Sequence, residues 1–326
     1  EGEYAYAGQL ILQGELPYQA AYNMKLPGAY YMYALGEGLL GQTDRAIHLA
    51  LLFVNLACCV FMFGLAREFF SPAVSWAATA AFAVLAVSPA VLGTTLNAEH
   101  FVILFALPGI WLFLRTRRSE SQPPLLASGV LLGIAVLMKQ HALFIAIGAG
   151  IYCAYVQWQS PGRAAARVGR LALFGVAIAL PYALVAGYFV VHGVFEDFWF
   201  FTSVYARAYV SINDPLRGLL RTPIAAHVND NWALALVGFV GAGWILARRT
   251  RRREYAFLLL FFACSLLCVY PGFYFRPHYF VMVLPAAALL VGAGFTAIGG
   301  YLDDTRSATA SQVLFALLLA APLTCF

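Results

Sequence analysis

The chain has 326 residues, of which 62% are hydrophobic and only 11% are charged, and its mean hydropathy is +0.78. Soluble domains are roughly 45–50% apolar and about 25% charged, so this composition excludes a water-soluble fold. The net charge of +5 comes without a basic face interleaved with exposed aromatic residues, which argues against a nucleic-acid partner. The six cysteines lie inside apolar runs without metal-ligand or disulfide spacing, so we interpret them as small buried hydrophobic residues.

Residues 1–44 are not a clean membrane span, because acidic residues alternate there with many tyrosines. Ten apolar stretches follow, several close to the about 20 residues that a spanning helix needs. The chain is therefore predicted to be an all-α, polytopic transmembrane helix bundle at 45–326. Its outer loops at 1–44 and 193–230 are predicted to hold amphipathic helices. The predicted spans lie near residues 45–66, 74–94, 99–114, 125–138, 142–158, 170–192, 231–247, 255–271, 279–299 and 309–325.

Charged residues divide between the two faces of this predicted bundle. With residues 1–44 outside, 13 of the 20 Lys and Arg residues fall in the inside loops, which is the positive-inside distribution. The Arg runs are thus explained as topology signals without a binding partner. Ten of the 15 acidic residues and five of the six His residues fall outside, so acid–base chemistry is predicted on the outer face.

Candidate functional residues cluster at the outer ends of the spans, in segments 1–28, 97–100, 139–141 and 276–279. Ionisable residues at membrane depth are costly and are by default candidates for function. Structural interpretations also stay open. Lys139 could reach the headgroups as a snorkelling side chain, Glu99 could be a carboxylate favoured by the helix dipole, and Lys25 could be a solvated surface residue. Arg207 lies in an aromatic stretch typical of an interfacial helix.

The first loop carries a pattern that resembles a known family. Its residues 1–8 read EGEYAYAG, followed by G-x-x-P-Y at 14–18 and K-x-P at 25–27. This order is similar to the first periplasmic loop of GT-C membrane glycosyltransferases. It is most similar to the dolichyl-phosphate-mannose–protein mannosyltransferase-like family, which includes the aminoarabinose-lipid A transferases. The other three segments match more weakly.

The resemblance implies an enzyme that transfers a sugar from a polyprenyl-phosphate donor to a lipid, glycan or protein acceptor. It would act on the periplasmic face of a bacterial inner membrane. In this family an Asp-Glu pair follows the first transmembrane helix, and Glu1 aligns with the Glu of the pair. The first helix and the Asp, the usual candidate general base, would then precede Glu1, and the fragment is expected to be inactive alone. Truncation at both ends is also expected because the chain lacks an initiator Met and stops inside an apolar run at Phe326.

The implied reaction needs a carboxylate to accept the proton of the acceptor hydroxyl and cations to hold the leaving phosphate. Direct displacement predicts inversion at the anomeric carbon, and a groove between spans is expected to take the prenyl tail. Glu1 and Glu99 are the predicted catalytic carboxylates. No cofactor is expected, although Glu99 with His100 could hold a divalent metal. Binding of the donor phosphate is assigned to Lys25, Lys139, His141, Arg276, His278 and Tyr279, and a supporting role to Glu3, Asn97, His100 and Arg207.

Three other classes of protein stay open from the sequence. A transporter or lipid flippase would place polar groups near the midplane, often in interrupted helices, and Pro108, Pro181 and Pro285 lie within predicted spans. A polysaccharide polymerase or ligase would be expected to lack the Glu-rich first loop. A non-catalytic scaffold is the third class.

Overall fold

The computed structural model describes residues 1–304 except for 22, 117–121, 160–162, 215–217, 219–230 and 249–251. Every regular element within these ranges is helical, so the predicted all-α fold is confirmed. Within the described ranges, four apolar helices of 10–17 residues accompany five longer segments that could cross a membrane. The five longer segments are Asp44–Ala66, Ala98–Arg115, Gln140–Gln159, Ala164–Val191 and Pro277–Gly300.

The helices are numbered here in chain order. A π-helical stretch, Phe200–Tyr205, joins α9 to α10. Single 3-10 segments occupy Pro89–Val91, Gln140–Ala142, Pro271–Phe273 and Pro277–Val283. The α-helices are α1 (Gly2–Leu12), α2 (Gly28–Leu40), α3 (Asp44–Ala66), α4 (Pro72–Ala86), α5 (Ala98–Arg115), α6 (Gln122–Met138), α7 (Leu143–Gln159), α8 (Ala164–Val191), α9 (Phe195–Trp199), α10 (Ala206–Val210), α11 (Trp232–Ala247), α12 (Arg252–Leu267) and α13 (Leu284–Asp304).

Nine of the ten predicted spans coincide with apolar helices, and the tenth, 309–325, lies outside the described residues. The second span is shorter than predicted, because α4 ends at Ala86. Ser88 is extended, with φ −63° and ψ 134°, as expected for a residue that precedes a proline. The chain then turns through Leu92, whose φ of 52° lies in the left-handed region.

The three prolines predicted to lie within spans do not break the helices described here. Helices α5 and α8 continue through Pro108 and Pro181. Pro285 is the second residue of α13, where a missing N–H costs no intrahelical hydrogen bond. The prolines therefore give no sign of the discontinuous helices that transporters use around midplane sites.

Small residues let neighbouring helices approach closely, as is common between membrane helices. Ser128 of α6 donates a buried hydrogen bond of 2.7 Å to the carbonyl oxygen of Gly109 in α5. On α6, Gly133 lies against the carbonyl oxygen of Ile178 and the ring of Pro181 in α8. These contacts place α6 between α5 and α8.

The α1–α2 segment, the turn between α6 and α7, and the region where α8 meets α9 come together at one end of the bundle. The Tyr18 ring of the α1–α2 segment packs against Phe189 of α8 and Phe198 of α9, with ring centroids 5.6 and 5.7 Å apart. Gln140, in the turn between α6 and α7, donates a 2.7 Å hydrogen bond to the carbonyl oxygen of Met24. Segments far apart in the sequence thus share one surface, which is where the candidate site lies.

Candidate functional site

A buried ion pair between Glu99 and Lys139 lies at the centre of this surface. Glu99 is in the first turn of α5 and is fully buried, and its Oε1 accepts a hydrogen bond from Lys139 Nζ. Lys139 is extended between α6 and the following 3-10 turn, and only 4% of its side chain is exposed. Its Nζ also lies 3.8 Å from the centroid of the Tyr279 ring, a cation–π contact. Charges this deeply buried are tolerated because they are paired.

Residues 276–279 complete this cluster from a third part of the chain. His278 Nε2 lies 3.9 Å from Glu99 Oε1. The His141 ring meets the edge of Tyr279, with centroids 5.2 Å apart. Glu99 Oε2 and His141 Nδ1 are buried and have no hydrogen-bond partner among the described residues. The cluster therefore holds polar atoms whose bonding capacity is unused.

Asn97 and His100 stabilise the start of α5. His100 Nδ1 accepts a 3.1 Å hydrogen bond from the Asn97 backbone N–H, and Asn97 Nδ2 donates to the carbonyl oxygen of Thr95 at 3.1 Å. Asn97 and His100 therefore cap the start of α5, the role that the sequence also allowed for Glu99. The Glu99 carboxylate pairs with Lys139 instead. With Nδ1 used in this way, His100 offers only its Nε2 to a metal beside Glu99.

Metal dependence stays a prediction. The ranges described contain no group of three or more His, Cys, Asp or Glu residues arranged to hold a metal ion.

Lys25 is held over the first loop and is not a freely solvated side chain. Its Nζ lies 3.7 Å from Glu3 Oε2 and 4.4 Å from the centroid of the Tyr4 ring. Tyr4 in turn stacks on Tyr33, with centroids 5.5 Å apart. Burial raises the pKa of the Tyr4 hydroxyl well above its usual value, so this ring stays neutral beneath the ammonium group.

Glu1 lies beside the segment that leads into α5. Its Oε1 accepts a 2.5 Å hydrogen bond from the Leu96 backbone N–H and lies 3.8 Å from His48 Nε2. The Tyr33 hydroxyl donates to the carbonyl oxygen of the same Leu96. The carboxylate of Glu1, which was predicted to be catalytic, is therefore bonded to Leu96, three residues before Glu99 in the chain.

Arg276 lies at the exposed edge of the cluster. Its guanidinium donates a 3.4 Å hydrogen bond to the Tyr209 hydroxyl and lies 5.8 Å from the centroid of the Tyr274 ring. The hydrogen bond with Tyr209 raises the pKa of Arg276, so the group stays charged. Arg207, which lies on α10 with Tyr209, is exposed. The described hydrogen bonds and ion pairs do not link it to Glu99 or Lys139, and its supporting role stays a prediction.

Sequence reasoning missed the tyrosines that surround the cations. Tyr4 and Tyr33 support Lys25, and Tyr209 and Tyr274 support Arg276. The signal was the density of Tyr in the first loop and around 205–209. Periodicity alone cannot say which of these rings will meet a cation.

An apolar cavity of about 400 Å³ lies between α11, α12 and α13. It starts beside Phe280 and Val283, directly after the 276–279 segment, and extends to Leu290 and Val291. Asn231 is the polar residue among the described residues that line it. A polar cluster therefore adjoins an apolar space large enough for part of a lipid chain.

Solved structures share this architecture. ArnT from Cupriavidus metallidurans bound to undecaprenyl phosphate is similar over 98% of the chain, with a TM-score of 0.66 and 17% identity. The oligosaccharyltransferase of Archaeoglobus fulgidus, in complex with zinc and sulfate, is similar over 98% of the chain with a TM-score of 0.57 and 14% identity. The chain spans 60% of the ArnT chain and 47% of the oligosaccharyltransferase chain. The fold is thus that of the GT-C membrane glycosyltransferases.

The sequence model of one family, described as dolichyl-phosphate-mannose-protein mannosyltransferase, matches residues 24–189, which is half of the chain. The chain belongs to this family of integral membrane proteins, as its first loop predicted. Among curated proteins, no sequence matches it significantly.

Proposed function

We propose that this chain is part of a glycosyltransferase that moves a sugar from a polyprenyl-phosphate donor to an acceptor hydroxyl or phosphate. The observation that carries the proposal is the buried Glu99–Lys139–His278 cluster beside an apolar cavity. Lys25 and Arg276 both act electrostatically on Lys139, so three cations share one neighbourhood. A lipid phosphate needs this combination of positive charge and an adjacent apolar space.

Lys139, Lys25 and Arg276 bind the donor phosphate in this proposal. Hydrogen bonds between ionised groups are roughly twice as strong as neutral ones, and they are strongest in a site that excludes water. Glu99 acts as a positioning residue, because its carboxylate holds the Lys139 ammonium at the end of α6. His278 and His141 supply further donors to the phosphate oxygens.

The prenyl tail lies in the apolar cavity between α11, α12 and α13. Each buried CH₂ group contributes about 0.8 kcal/mol, so a few isoprene units give most of the affinity for the lipid. The phosphate and the tail then enter adjacent sites, since Phe280 of the cavity directly follows Tyr279 of the cluster.

The chemical step in this proposal is a direct displacement. A carboxylate takes the proton of the acceptor hydroxyl, the resulting oxygen attacks the anomeric carbon, and the bond from that carbon to the phosphate oxygen breaks with inversion. Glu1 is one carboxylate that fits this role, since its Oε1 is anchored by Leu96 N–H.

We infer that the site faces the periplasm of a bacterial inner membrane. Arg115 and Arg163 lie at the ends of their helices away from the cluster, and the positive-inside rule assigns Arg-rich short connections to the cytoplasm.

Binding and transfer by the full-length protein in nanodiscs test this proposal. Undecaprenyl phosphate is expected to bind the wild type, and Arg276→Ala to weaken that binding about tenfold or more through loss of a charge-assisted contact. Arg248→Ala is the matched control, because Arg248 also stacks on an aromatic ring, 4.6 Å from Trp244, at the other end of α11. Absence of lipid binding, or equal weakening by both variants, contradicts the proposal. Transfer of label from a radiolabelled polyprenyl-phosphate sugar then separates an enzyme from a transporter.

A further inference from the structure

A second cavity, separate from the apolar one, lies between α1 and the segment that links α1 to α2. Its volume is about 210 Å³, the liquid volume of roughly seven water molecules. Its apolar wall includes Leu10, Ile11 and Leu16, and none of the described residues that line it is basic.

The polar groups that line this cavity are rich in hydrogen-bond acceptors. Glu3 and Glu15 contribute carboxylates, and both side chains are exposed. Tyr30 is only 3% exposed, yet its hydroxyl has no partner among the described residues. Asn23 Oδ1 is likewise buried and unpartnered. An unsatisfied buried polar group costs about 1–3 kcal/mol, which points to a ligand or water that completes these bonds.

We propose that this cavity binds the acceptor of the transfer through a hydroxyl-rich headgroup that is neutral or cationic. The described lining holds two carboxylates and no basic side chain, and the one cation beside it, Lys25, is already paired with Glu3, so an anion is disfavoured there. Sugar hydroxyls or an ammonium group can instead donate to Glu3, Asn23 and Tyr30. The apolar wall fits the carbon face of a sugar ring.

Glu3 connects this cavity to the donor site. It lines the cavity, and its Oε2 lies 3.7 Å from Lys25 Nζ, one of the proposed phosphate-binding cations. A headgroup in the cavity is therefore next to the donor phosphate, and its identification as the acceptor rests on the proposed function.

The test measures the binding of three sugars to the full-length protein by saturation-transfer NMR. Methyl α-mannoside and glucosamine are expected to bind. Glucose 6-phosphate, tested with undecaprenyl phosphate present to occupy the cations of the donor site, is expected to bind more weakly than either. Tyr30→Phe should weaken binding of the first two by about two- to tenfold, the worth of one neutral hydrogen bond. Ala7→Phe, which fills the cavity, should abolish it.

Two matched controls keep the result interpretable. Tyr31→Phe removes the same hydroxyl one residue away, outside the cavity lining, and Gln9→Phe adds the same ring on α1 outside that lining. Both controls should bind the sugars like the wild type, and thermal unfolding verifies that every variant is folded. The inference is overturned if the wild type binds no sugar or prefers glucose 6-phosphate. It is also overturned if Tyr30→Phe and Ala7→Phe bind the sugars as well as the wild type does. Undecaprenyl phosphate binding, measured on the same samples, reports separately on the proposed function.

Discussion

Glu99 and Lys139 form the pair on which the polar cluster depends. Both side chains are almost completely buried, and each is the direct ionic partner of the other. Desolvating two charges costs several kcal/mol per ion, and only their attraction and hydrogen bonding offset this cost. The pair is thus a structural requirement and, in the proposed function, also the source of a phosphate-binding cation.

Removing one charge of this pair is expected to lower the stability of the protein more than removing both charges. Lys139→Met should lower the free energy of unfolding by about 3–5 kcal/mol, because Glu99 is left buried and unpaired. The double variant Glu99→Gln/Lys139→Met should recover most of this stability but no sugar transfer, since the cation is still lost. Unfolding free energies and transfer rates of the single and double variants measure the effect. Equal stability of the single and double variants would mean that the charges are not coupled.

Glu37 of α2 gives a pH prediction. It is 4% exposed, its Oε2 has no partner among the described residues, and burial raises its pKa from 4.5. The folded state then binds a proton more tightly than the unfolded state, so stability falls as the pH rises above 4.5. Glu37→Gln, which imitates the protonated form, should raise the unfolding temperature at neutral pH and flatten this dependence.

The control for this prediction is Glu15→Gln, a change at an exposed carboxylate. It should leave the slope of unfolding temperature against pH as in the wild type. A slope that is unchanged in Glu37→Gln would show that another group causes the dependence.

Among the helices, α11 and α13 make a close contact that depends on glycine. A Cβ on Gly241 would overlap the carbonyl oxygen of Leu290, and a Cβ on Gly294 would overlap that of Val237. The same two helices form one side of the apolar cavity, so their spacing sets its width.

Gly241→Ala is expected to separate α11 from α13 and to lower stability, because the obstacle is backbone that cannot rotate away. Gly243→Ala is the matched change on the same helix, where nothing lies within 4 Å of the new Cβ. It should be neutral or stabilising by about 0.5–1 kcal/mol, the usual advantage of Ala over Gly in a helix. Thermal unfolding with and without undecaprenyl phosphate compares the two. Similar loss in both variants would refute the close contact.

For the whole molecule, the division of charge predicts its orientation. In a full-length variant without native cysteines, Glu3→Cys should react with an impermeant maleimide in intact spheroplasts, and Arg163→Cys only after permeabilisation. Both positions are exposed at opposite ends of the described bundle. Labelling of Arg163→Cys in intact spheroplasts would show the opposite topology, with the cluster on the cytoplasmic face.

Much of the fold could be predicted because lipid imposes simple rules on a chain. Apolar runs near the length of a span predicted nine of the described helices. The predicted length of the second span was too great, because α4 ends shortly before Pro89. The first-loop pattern predicted the family to which residues 24–189 match. The candidates Glu99, Lys139 and His278 were correctly expected to share one surface, since helix ends on one face must lie together.

By itself, the sequence determined the all-α membrane fold, the family and the set of polar residues at one end of the bundle, because hydrophobic length and charge are properties of short segments. Only the tertiary structure decided the partners: Glu99 with Lys139, Lys25 with Glu3, and Arg276 with Tyr209. It also decided where the two cavities lie. Pairing and cavity shape depend on how helices pack, and packing joins residues whose separation along the chain carries no local signal.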